Sequence, residues 1–318
     1  MTVAIVGAGA TGGFLGAHLS RSGVEVILVA RGPHLEAMRE RGITIRSGAT
    51  GEFTAHPACT DEVSAISRAE FVFLTLKAHS IPPVAPAIGR ALAAGASVVS
   101  AQNGIPWWYF PDRHLESVDP GGVIARSIAY ERVVGCIVYP ATEVVEPGVV
   151  QHLEGSRFTV GEPDGSRSER VQALSALLQG AGLKAPVQTR LRNEIWLKLL
   201  GNATLNPVSA LTRATLAEMV GSPATRSLLV GLMEEVDAVA EALGVAVPLT
   251  IEKRLQGAAA SGAHRTSMLQ DLDARRPLEV EALVGAVVEL ADGCGVPVPA
   301  LRTVYGLTRQ LDEANRRS

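Results

Sequence analysis

A lysine and two asparagines recur every four residues in an otherwise apolar segment. Lys198, Asn202 and Asn206 stand in the sequence LKLLGNATLNP. Four residues is slightly more than one helical turn, so a helix running through all three would present them on one face. A lysine buried there needs a partner or shifts its pKa. The face is therefore a candidate chemical site, with a solvated polar stripe on a surface helix as the alternative. Pro207 predicts that this helix ends or kinks near Asn206.

Polar side chains also follow two apolar segments in the first third of the chain. Lys77 comes after the continuous apolar run FVFLTL, and Asn103 comes after SVVSAQ. Such runs are typical of buried strands in a parallel sheet. Ligands of open α/β sheets bind at the carboxyl ends of the strands, which is where both residues stand. Each could instead be an ordinary solvated residue at a strand end.

A glycine-rich turn lies between the first predicted strand and the first predicted helix. The strand Thr2–Val6 is followed by GAGATG, then by a helical stretch and a second strand that starts at Glu25. This order is the dinucleotide-binding arrangement, in which glycines allow a tight turn and the helix N-terminus faces a pyrophosphate. The predicted cofactor-binding residues of the turn are Gly7, Ala8, Gly9, Ala10, Thr11 and Gly12.

The end of the second strand predicts which dinucleotide binds. NAD enzymes place an acid there for the ribose 2′-hydroxyl. This strand ends in Val29-Ala30-Arg31, without an acid. A guanidinium can bind a 2′-phosphate with two hydrogen bonds, so Arg31 predicts NADP as the cofactor. The alternative is an arginine that simply lies on the surface.

Composition excludes several other classes of protein. The 318 residues carry 29 Lys and Arg against 32 Asp and Glu, a net charge of −3, which disfavours a nucleic-acid or anionic-membrane partner. Only 3 cysteines occur, without a C-x-x-C pair, so neither a disulfide scaffold nor a cysteine zinc site is expected. We expect no metal site, three buried thiols and a reducing, cytoplasmic compartment. No secretory signal or membrane span is predicted.

The remaining pattern predicts an α/β fold, with a Rossmann-type N-terminal domain followed by an all-α C-terminal domain. A hairpin is expected within residues 43–55. Residues 133–160 are rich in β-branched residues and are predicted to complete the sheet in antiparallel fashion. Helical periodicity dominates after Thr189. We place the NADP-binding domain at 1–186 and the helical substrate and catalytic domain at 187–318, with the substrate expected in a cleft between them.

Taken together, these segments resemble the 2-dehydropantoate 2-reductase (ketopantoate reductase) family. The motifs that carry the resemblance run in order from residue 5 to about 281. They are the glycine turn, Arg31, TLKA at 75–78, Asn103-Gly104, the Lys198, Asn202 and Asn206-Pro207 segment, SMLQD at 267–271, and Glu279. The lysine–asparagine segment and SMLQD are more specific than the glycine turn.

The resemblance implies NADPH-dependent reduction of a 2-oxo acid, ketopantoate, on the route to pantothenate. By resemblance, Lys198 is the proton donor, and Asn103, Asn202, Asn206 and Ser267 bind the substrate. Asn103 also contacts the cofactor. Further cofactor contacts implied by the family are Lys77, Ala141 and Glu279. The expected partner is a small 2-oxo acid, with a homodimer as a possible assembly.

Two departures from the family pattern leave the substrate open. Leu216 stands where many members of the family have an asparagine, and Trp107-Trp108-Tyr109-Phe110 forms an aromatic cluster after Asn103-Gly104. If both face the substrate they make its site more apolar, which would favour an apolar 2-oxo or 2-hydroxy acid. The cluster could equally be ordinary packing. Two other functions stay open, a dehydrogenase working in the oxidative direction and a non-catalytic NADP-binding redox sensor.

Overall fold

A computed structural model of the chain describes residues 1–317. Its residues form two compact units. The first comprises residues 1–102, 107–114 and 121–191, and the second comprises 103–106, 115–120 and 192–318, of which Ser318 is outside the described residues.

The first unit is built on a seven-stranded sheet, in agreement with the predicted Rossmann-type fold. Its strands are β1 (Thr2–Val6), β2 (Glu25–Val29), β5 (Ala58–Thr60), β6 (Phe71–Leu74), β7 (Ser97–Ser100), β8 (Val133–Val138) and β11 (Phe158–Gly161). Their spatial order is β11-β8-β7-β6-β1-β2-β5, and every pair is parallel except β8 with β11. Apart from the edge strand β5, the strands are almost continuously buried, as expected for a parallel sheet covered on both faces.

A second sheet of four strands belongs to the same unit. It contains β3 (Ile43–Ser47), β4 (Gly51–Ala55), β9 (Ala141–Glu146) and β10 (Val149–Glu154). The predicted 43–55 hairpin is present as the antiparallel pair β3 and β4. The prediction for residues 133–160 was wrong in part, because β8 joins the main sheet in parallel while β9 and β10 leave it for the second sheet. Their hydrophobic pattern gives no preference between the two edges.

Five helices complete the first unit: α1 (Ala10–Arg21), α2 (Gly32–Arg41), α3 (Ala85–Ala91), α4 (Val123–Ser127) and α5 (Glu169–Gly180). Helix α1 lies between the two sheets, and glycines allow the close approach. A Cβ at Gly13 would meet Ile43 of the second sheet at 2.6 Å, and one at Gly16 would meet Leu28 of the main sheet at 2.5 Å. Glycine therefore fixes the position of the helix that follows the predicted cofactor turn.

From Leu191 to Arg317 the described chain is helical, as predicted. The helices are α6 (Leu191–Asn202), α7 (Leu205–Thr212), α8 (Leu216–Gly221), α9 (Pro223–Ala242), α10 (Ile251–Ala260), α11 (Ser267–Asp273), α12 (Ala286–Cys294) and α13 (Pro299–Arg317). A π-helical turn, Glu281–Gly285, leads directly into α12. Among the described residues, no helix has both the length and the apolar character needed to cross a membrane.

The expectation of three buried thiols was correct for Cys136 and wrong for the other two. Cys136 is buried in β8, Cys59 is half-buried, and Cys294 is exposed at the end of α12. All three are free cysteines. Cys294 is exposed because the helix ends there and the chain turns at Gly295, which has a left-handed φ of 68°.

Candidate active site

The glycine turn of the first unit is held by backbone hydrogen bonds. The N–H groups of Gly7 and Ala8 donate to the carbonyl of Val29 at 3.0 and 3.1 Å. Gly7 has a φ of +103°, which glycine adopts readily. A Cβ at Gly12 would lie 2.5 Å from both the Gly7 carbonyl oxygen and Thr75 Oγ1. The turn is therefore tight in the way that close helix-to-strand packing requires.

The start of α1 fits a pyrophosphate. Gly9 is the N-cap residue, and no side chain of the described residues caps the helix there. Apart from Gly9 itself and its two chain neighbours, no described residue has an atom within 4 Å of a Cβ built at Gly9. The first N–H groups of a helix lack intrahelical partners and carry the positive end of the helix dipole. The open space before Gly9 is therefore suited to a bound phosphate group, and the residues Ala8, Ala10 and Thr11 flank it.

Lys77 and Arg31 each come two residues after a residue that is hydrogen-bonded to the turn, Thr75 and Val29 respectively. Thr75 N–H donates to the Val6 carbonyl at 3.0 Å, and Thr75 Oγ1 donates to the Gly7 carbonyl at 2.9 Å. Half-buried Lys77 follows two residues later. Arg31 is exposed, has an extended backbone and directly precedes α2, two residues after Val29. Ala141 is the first residue of β9 and pairs with Glu154 in the second sheet.

Sequence reasoning does not single out His34, which also lies near the glycine turn. Its Nδ1 accepts a hydrogen bond from Gly148 N–H at 2.9 Å. Burial lowers the pKa of His34. The hydrogen bond from Gly148 holds the ring against the connection between β9 and β10 of the second sheet. A histidine three residues after Arg31 carries no sequence signal that separates it from any other helix residue.

In the second unit, Lys198 and Asn103 lie in direct contact. Lys198 Nζ donates a hydrogen bond to Asn103 Oδ1 at 2.6 Å. The short segment that carries Asn103 is anchored on the π-helical turn, because Ile105 N–H donates to the Ala282 carbonyl at 3.0 Å. Gly104 has a φ of +87°, and a Cβ there would clash with that same carbonyl. Two residues that are far apart in sequence are thus joined at the predicted site.

The helix that carries Lys198 does not run on through Asn206, so the prediction of one continuous helical face was wrong. Helix α6 ends at Asn202, and α7 begins at Leu205. The break therefore comes before Pro207, at Ala203 and Thr204. Pro207 is the third residue of α7, where its missing N–H has no intrahelical partner to lose. Asn202 is half-buried, whereas Asn206 is 6% exposed.

Side-chain hydrogen bonds fix the segments that carry Ser267 and Glu279. Thr266 caps α11 by accepting from Leu269 N–H at 3.3 Å, which leaves Ser267 exposed on the first turn of the helix. Helix α11 packs against α7, the helix of Asn206. Half-buried Glu279 follows Leu278, whose N–H donates to the buried carboxylate of Asp312 at 2.8 Å.

The π-helical turn after Glu279 has its own anchors. Tyr305 hydroxyl donates to Glu281 Oε2 at 2.7 Å, and Arg309 lies 3.4 Å from Oε1 of the same carboxylate. Burial, followed by the hydrogen bond to Glu281, raises the pKa of Tyr305 to about 12. Because a π-turn shifts the hydrogen-bond register by one residue, it leaves the Ala282 carbonyl available for Ile105. The local sequence contains no signal for this turn.

The aromatic cluster is mostly buried. Trp107, Trp108 and Tyr109 are 5%, 3% and 2% exposed, and only Phe110 is half-buried. A Cβ at Gly135 in β8 would lie 2.7 Å from the ring of Trp108, so this indole packs on the main sheet. These contacts support the packing alternative for the cluster. Leu216, the other departure, is 9% exposed at the start of α8.

A parallel sheet with a glycine turn before α1, followed by a helical unit with a lysine–amide pair, defines a dinucleotide-binding oxidoreductase. Family models confirm this class. The model described as "Ketopantoate reductase PanE/ApbA" matches residues 3–165, and the one described as "Ketopantoate reductase PanE/ApbA C terminal" matches residues 190–312. The chain therefore belongs to the ketopantoate reductase family, as its sequence motifs indicated.

Individual relatives agree with this membership. The 2-dehydropantoate 2-reductase of Mesorhizobium japonicum is 44% identical over 98% of both chains. Among solved structures, a protein from Ralstonia solanacearum proposed to be a ketopantoate reductase is 35% identical, with a TM-score of 0.93 over 98% of both chains. A PanE/ApbA family ketopantoate reductase from Ralstonia eutropha is 29% identical, with a TM-score of 0.88 over 99% of this chain and 100% of that one.

Proposed function

We propose that the protein is an NADPH-dependent reductase that converts 2-dehydropantoate (ketopantoate) to pantoate, a step toward pantothenate. The observation that carries the proposal is the pair formed by Lys198 and Asn103 in the second unit. Membership of the family and the 44% identity to a named 2-dehydropantoate 2-reductase support the choice of substrate. A sensor that only binds NADP would need no lysine held against an amide at this place.

In this proposal the first unit binds the cofactor. The N-terminus of α1, with residues 7–12, receives the pyrophosphate, and Arg31 binds the 2′-phosphate that distinguishes NADP from NAD. Lys77 and Ala141 of this unit supply further contacts, and the family resemblance adds Asn103 and Glu279 of the second unit. When bound, NADPH supplies the hydride that adds to the 2-oxo carbon of the substrate. We assign cofactor binding mainly to residues 1–186, and substrate binding and proton transfer mainly to residues 187–318. Glu279, a cofactor contact, and Asn103, which also contacts the substrate, are the exceptions.

Lys198 supplies the proton. As the carbon–oxygen double bond of the substrate opens, its electron pair moves to oxygen, and the ammonium of Lys198 gives that oxygen a proton to form the hydroxyl. Asn103 accepts a hydrogen bond from the same ammonium and so fixes where its protons point. Asn202, Asn206 and Ser267 offer donors and acceptors for the carboxylate and hydroxyl of the substrate. Lys198 then regains a proton from solvent.

The test is turnover by the purified enzyme. Ketopantoate should cause oxidation of NADPH with formation of one pantoate per NADPH consumed. NADPH that binds without being consumed by any 2-oxo acid would overturn the proposal in favour of the sensor. Faster turnover of an apolar 2-oxo acid than of ketopantoate would favour the second candidate, a reductase or dehydrogenase for such acids, which the apolar Leu216 supports.

We also propose a cytoplasmic location and a homodimer, with a small 2-oxo acid as partner rather than nucleic acid or a membrane. Three free cysteines support a reducing compartment. The solved ketopantoate reductase from Staphylococcus aureus is described as dimeric, and at 21% identity its likeness to this chain extends to the fold alone. Light scattering on the eluting protein measures the assembly, and a monomer mass would exclude the dimer.

A further inference from the structure

Gly201 has no side chain, and the guanidinium of Arg254 occupies the space where one would be. Gly201 is buried in α6, and Arg254 extends from α10, also in the second unit. A Cβ built at Gly201 would lie 2.5 Å from both Cζ and Nε of Arg254, and closer still to Nη2. Any residue larger than glycine at this position would therefore displace the guanidinium.

The guanidinium lies over the partly exposed face of α6. Gly201 follows Lys198 by three residues, and residues three apart are neighbours on the surface of a helix. Glu194, Leu197 and Lys198 on this face are each half-buried, whereas the opposite face packs into the helical core. The side chains that share the face thus bring two cations, Lys198 and Arg254, together with one carboxylate, Glu194. Arg254 therefore places a second cationic side chain on the helix face that carries the predicted proton donor.

We propose that Arg254 determines specificity by binding the carboxylate of the 2-oxo acid beside Lys198, and that Gly201 is the residue that admits it. The inference rests on the proposed function. In a 2-oxo acid the keto oxygen and the carboxylate are on adjacent carbons. Neighbouring cations therefore match them, with the ammonium at the keto oxygen and the planar guanidinium forming two hydrogen bonds to the carboxylate.

Oxamate, a 2-oxo-acid analogue that resists reduction, is the probe. Its Kd is measured by titration calorimetry, with and without NADPH, for wild type, Arg254→Gln, Arg254→Lys and Gly201→Ala. We expect Arg254→Gln to raise the Kd for oxamate by about 10–100-fold, since a hydrogen bond to a charged group is lost. Arg254→Lys keeps the positive charge but loses the planar pair of N–H donors. Its Kd for oxamate should therefore lie between those of wild type and Arg254→Gln.

Gly201→Ala is the sharper variant because it removes no charged side chain. Alanine favours a helix over glycine, so the substitution should not weaken α6 itself. It should nevertheless weaken oxamate binding, because the new methyl group displaces the guanidinium of Arg254. Lys253→Gln, an exposed neighbour on α10, is the matched control and should bind oxamate as wild type does.

Kinetics separate substrate binding from a merely structural role. Arg254→Gln should raise the KM for the 2-oxo acid more than it lowers kcat, with the KM for NADPH unchanged. Wild-type Kd values in both Arg254→Gln and Gly201→Ala, or no oxamate binding by wild type, would overturn the inference. If Arg254→Gln fails to fold, Gly201→Ala decides. If wild type binds oxamate through Arg254 yet reduces no 2-oxo acid, the proposed function fails and the anion site stands.

Discussion

Lys198 Nζ donates a 2.6 Å hydrogen bond to Asn103 Oδ1, although the two residues are 95 positions apart in the chain. Both residues belong to the second unit, although Asn103 follows β7 closely in the sequence. An amide oxygen can accept from the ammonium without neutralising it. The hydrogen bond to Asn103 therefore restricts the orientation of the Lys198 ammonium.

The first prediction concerns this pair. Lys198→Ala should lower kcat by about 10²–10⁴-fold, the usual contribution of a general acid. Asn103→Ala should lower kcat less, because the ammonium remains but is less well oriented. Steady-state kinetics measures kcat for both variants, and fluorescence measures their NADPH affinity separately. Full kcat in Lys198→Ala would show that the proton comes from another group.

The second prediction separates two glycines of the cofactor turn. Gly9→Ala places a methyl group in open space at a φ of −78°, which alanine tolerates. It should keep the Tm of wild type but weaken NADPH binding, since the methyl group stands where the phosphate is expected. Gly12→Ala should lower both the Tm and the affinity for NADPH, because its Cβ would lie 2.5 Å from the Gly7 carbonyl oxygen. Wild-type NADPH affinity in Gly9→Ala would contradict the placement of the pyrophosphate.

The third prediction concerns the choice of dinucleotide. We expect kcat/KM to favour NADPH over NADH by at least about 10-fold, or roughly 1.4 kcal/mol, through the charge of Arg31. Arg31→Ala should remove most of this preference by lowering kcat/KM with NADPH rather than by raising kcat/KM with NADH. Arg39→Ala, an arginine on α2 that pairs with Asp61 at 2.8 Å, serves as the control. Equal use of both cofactors by wild type would exclude Arg31 as the selector.

The fourth prediction concerns substrate range. If Leu216 replaces a polar substrate contact, 2-oxoisovalerate should compete with ketopantoate within about 10–100-fold in kcat/KM. Leu216→Asn should widen that gap by improving ketopantoate. The buried Trp107–Tyr109 segment should contribute through packing, so Trp107→Phe should affect Tm more than selectivity. A wild-type preference for ketopantoate above about 10⁴-fold would show that Leu216 does not face the substrate.

The fifth prediction concerns stability in acid. Burial lowers the pKa of both His18 and His34 below the ordinary value of 6.5. Stability from their neutral rings is therefore complete above about pH 6.5, and it is lost as the pH falls through the lower folded-state values.

Urea unfolding between pH 7.5 and 5 measures this loss. His18 lies 4.5 Å from the ring of Phe14, so His18→Leu keeps an apolar group there while removing the titration. Its stability should fall less steeply with pH than that of wild type, whereas substitution of the exposed His56 by Gln should leave the slope unchanged. Identical slopes in wild type and His18→Leu would exclude His18 as the source.

The sequence by itself determined the features that depend on neighbouring residues. The glycine turn and the order of strands and helices around it follow from glycine conformation and from hydrophobic periodicity. The motifs in their order along the chain, above all the Lys198, Asn202 and Asn206-Pro207 segment and SMLQD at 267–271, indicated the family, which the family models confirm. These properties depend on short stretches of sequence, so they can be predicted without knowing which segments are in contact in the folded chain.

Only the tertiary structure decided which distant residues are in contact and where regular structure breaks. Residues 141–154 have β propensity, but their pairing with β3 depends on edges that the local pattern does not identify. The break after Asn202 and the π-turn at residues 281–285 depend on packing and on a carbonyl taken by Ile105. The contact of Arg254 with Gly201 likewise needed two helices to meet, since a glycine in a helix has no local signal for the group that fills its space.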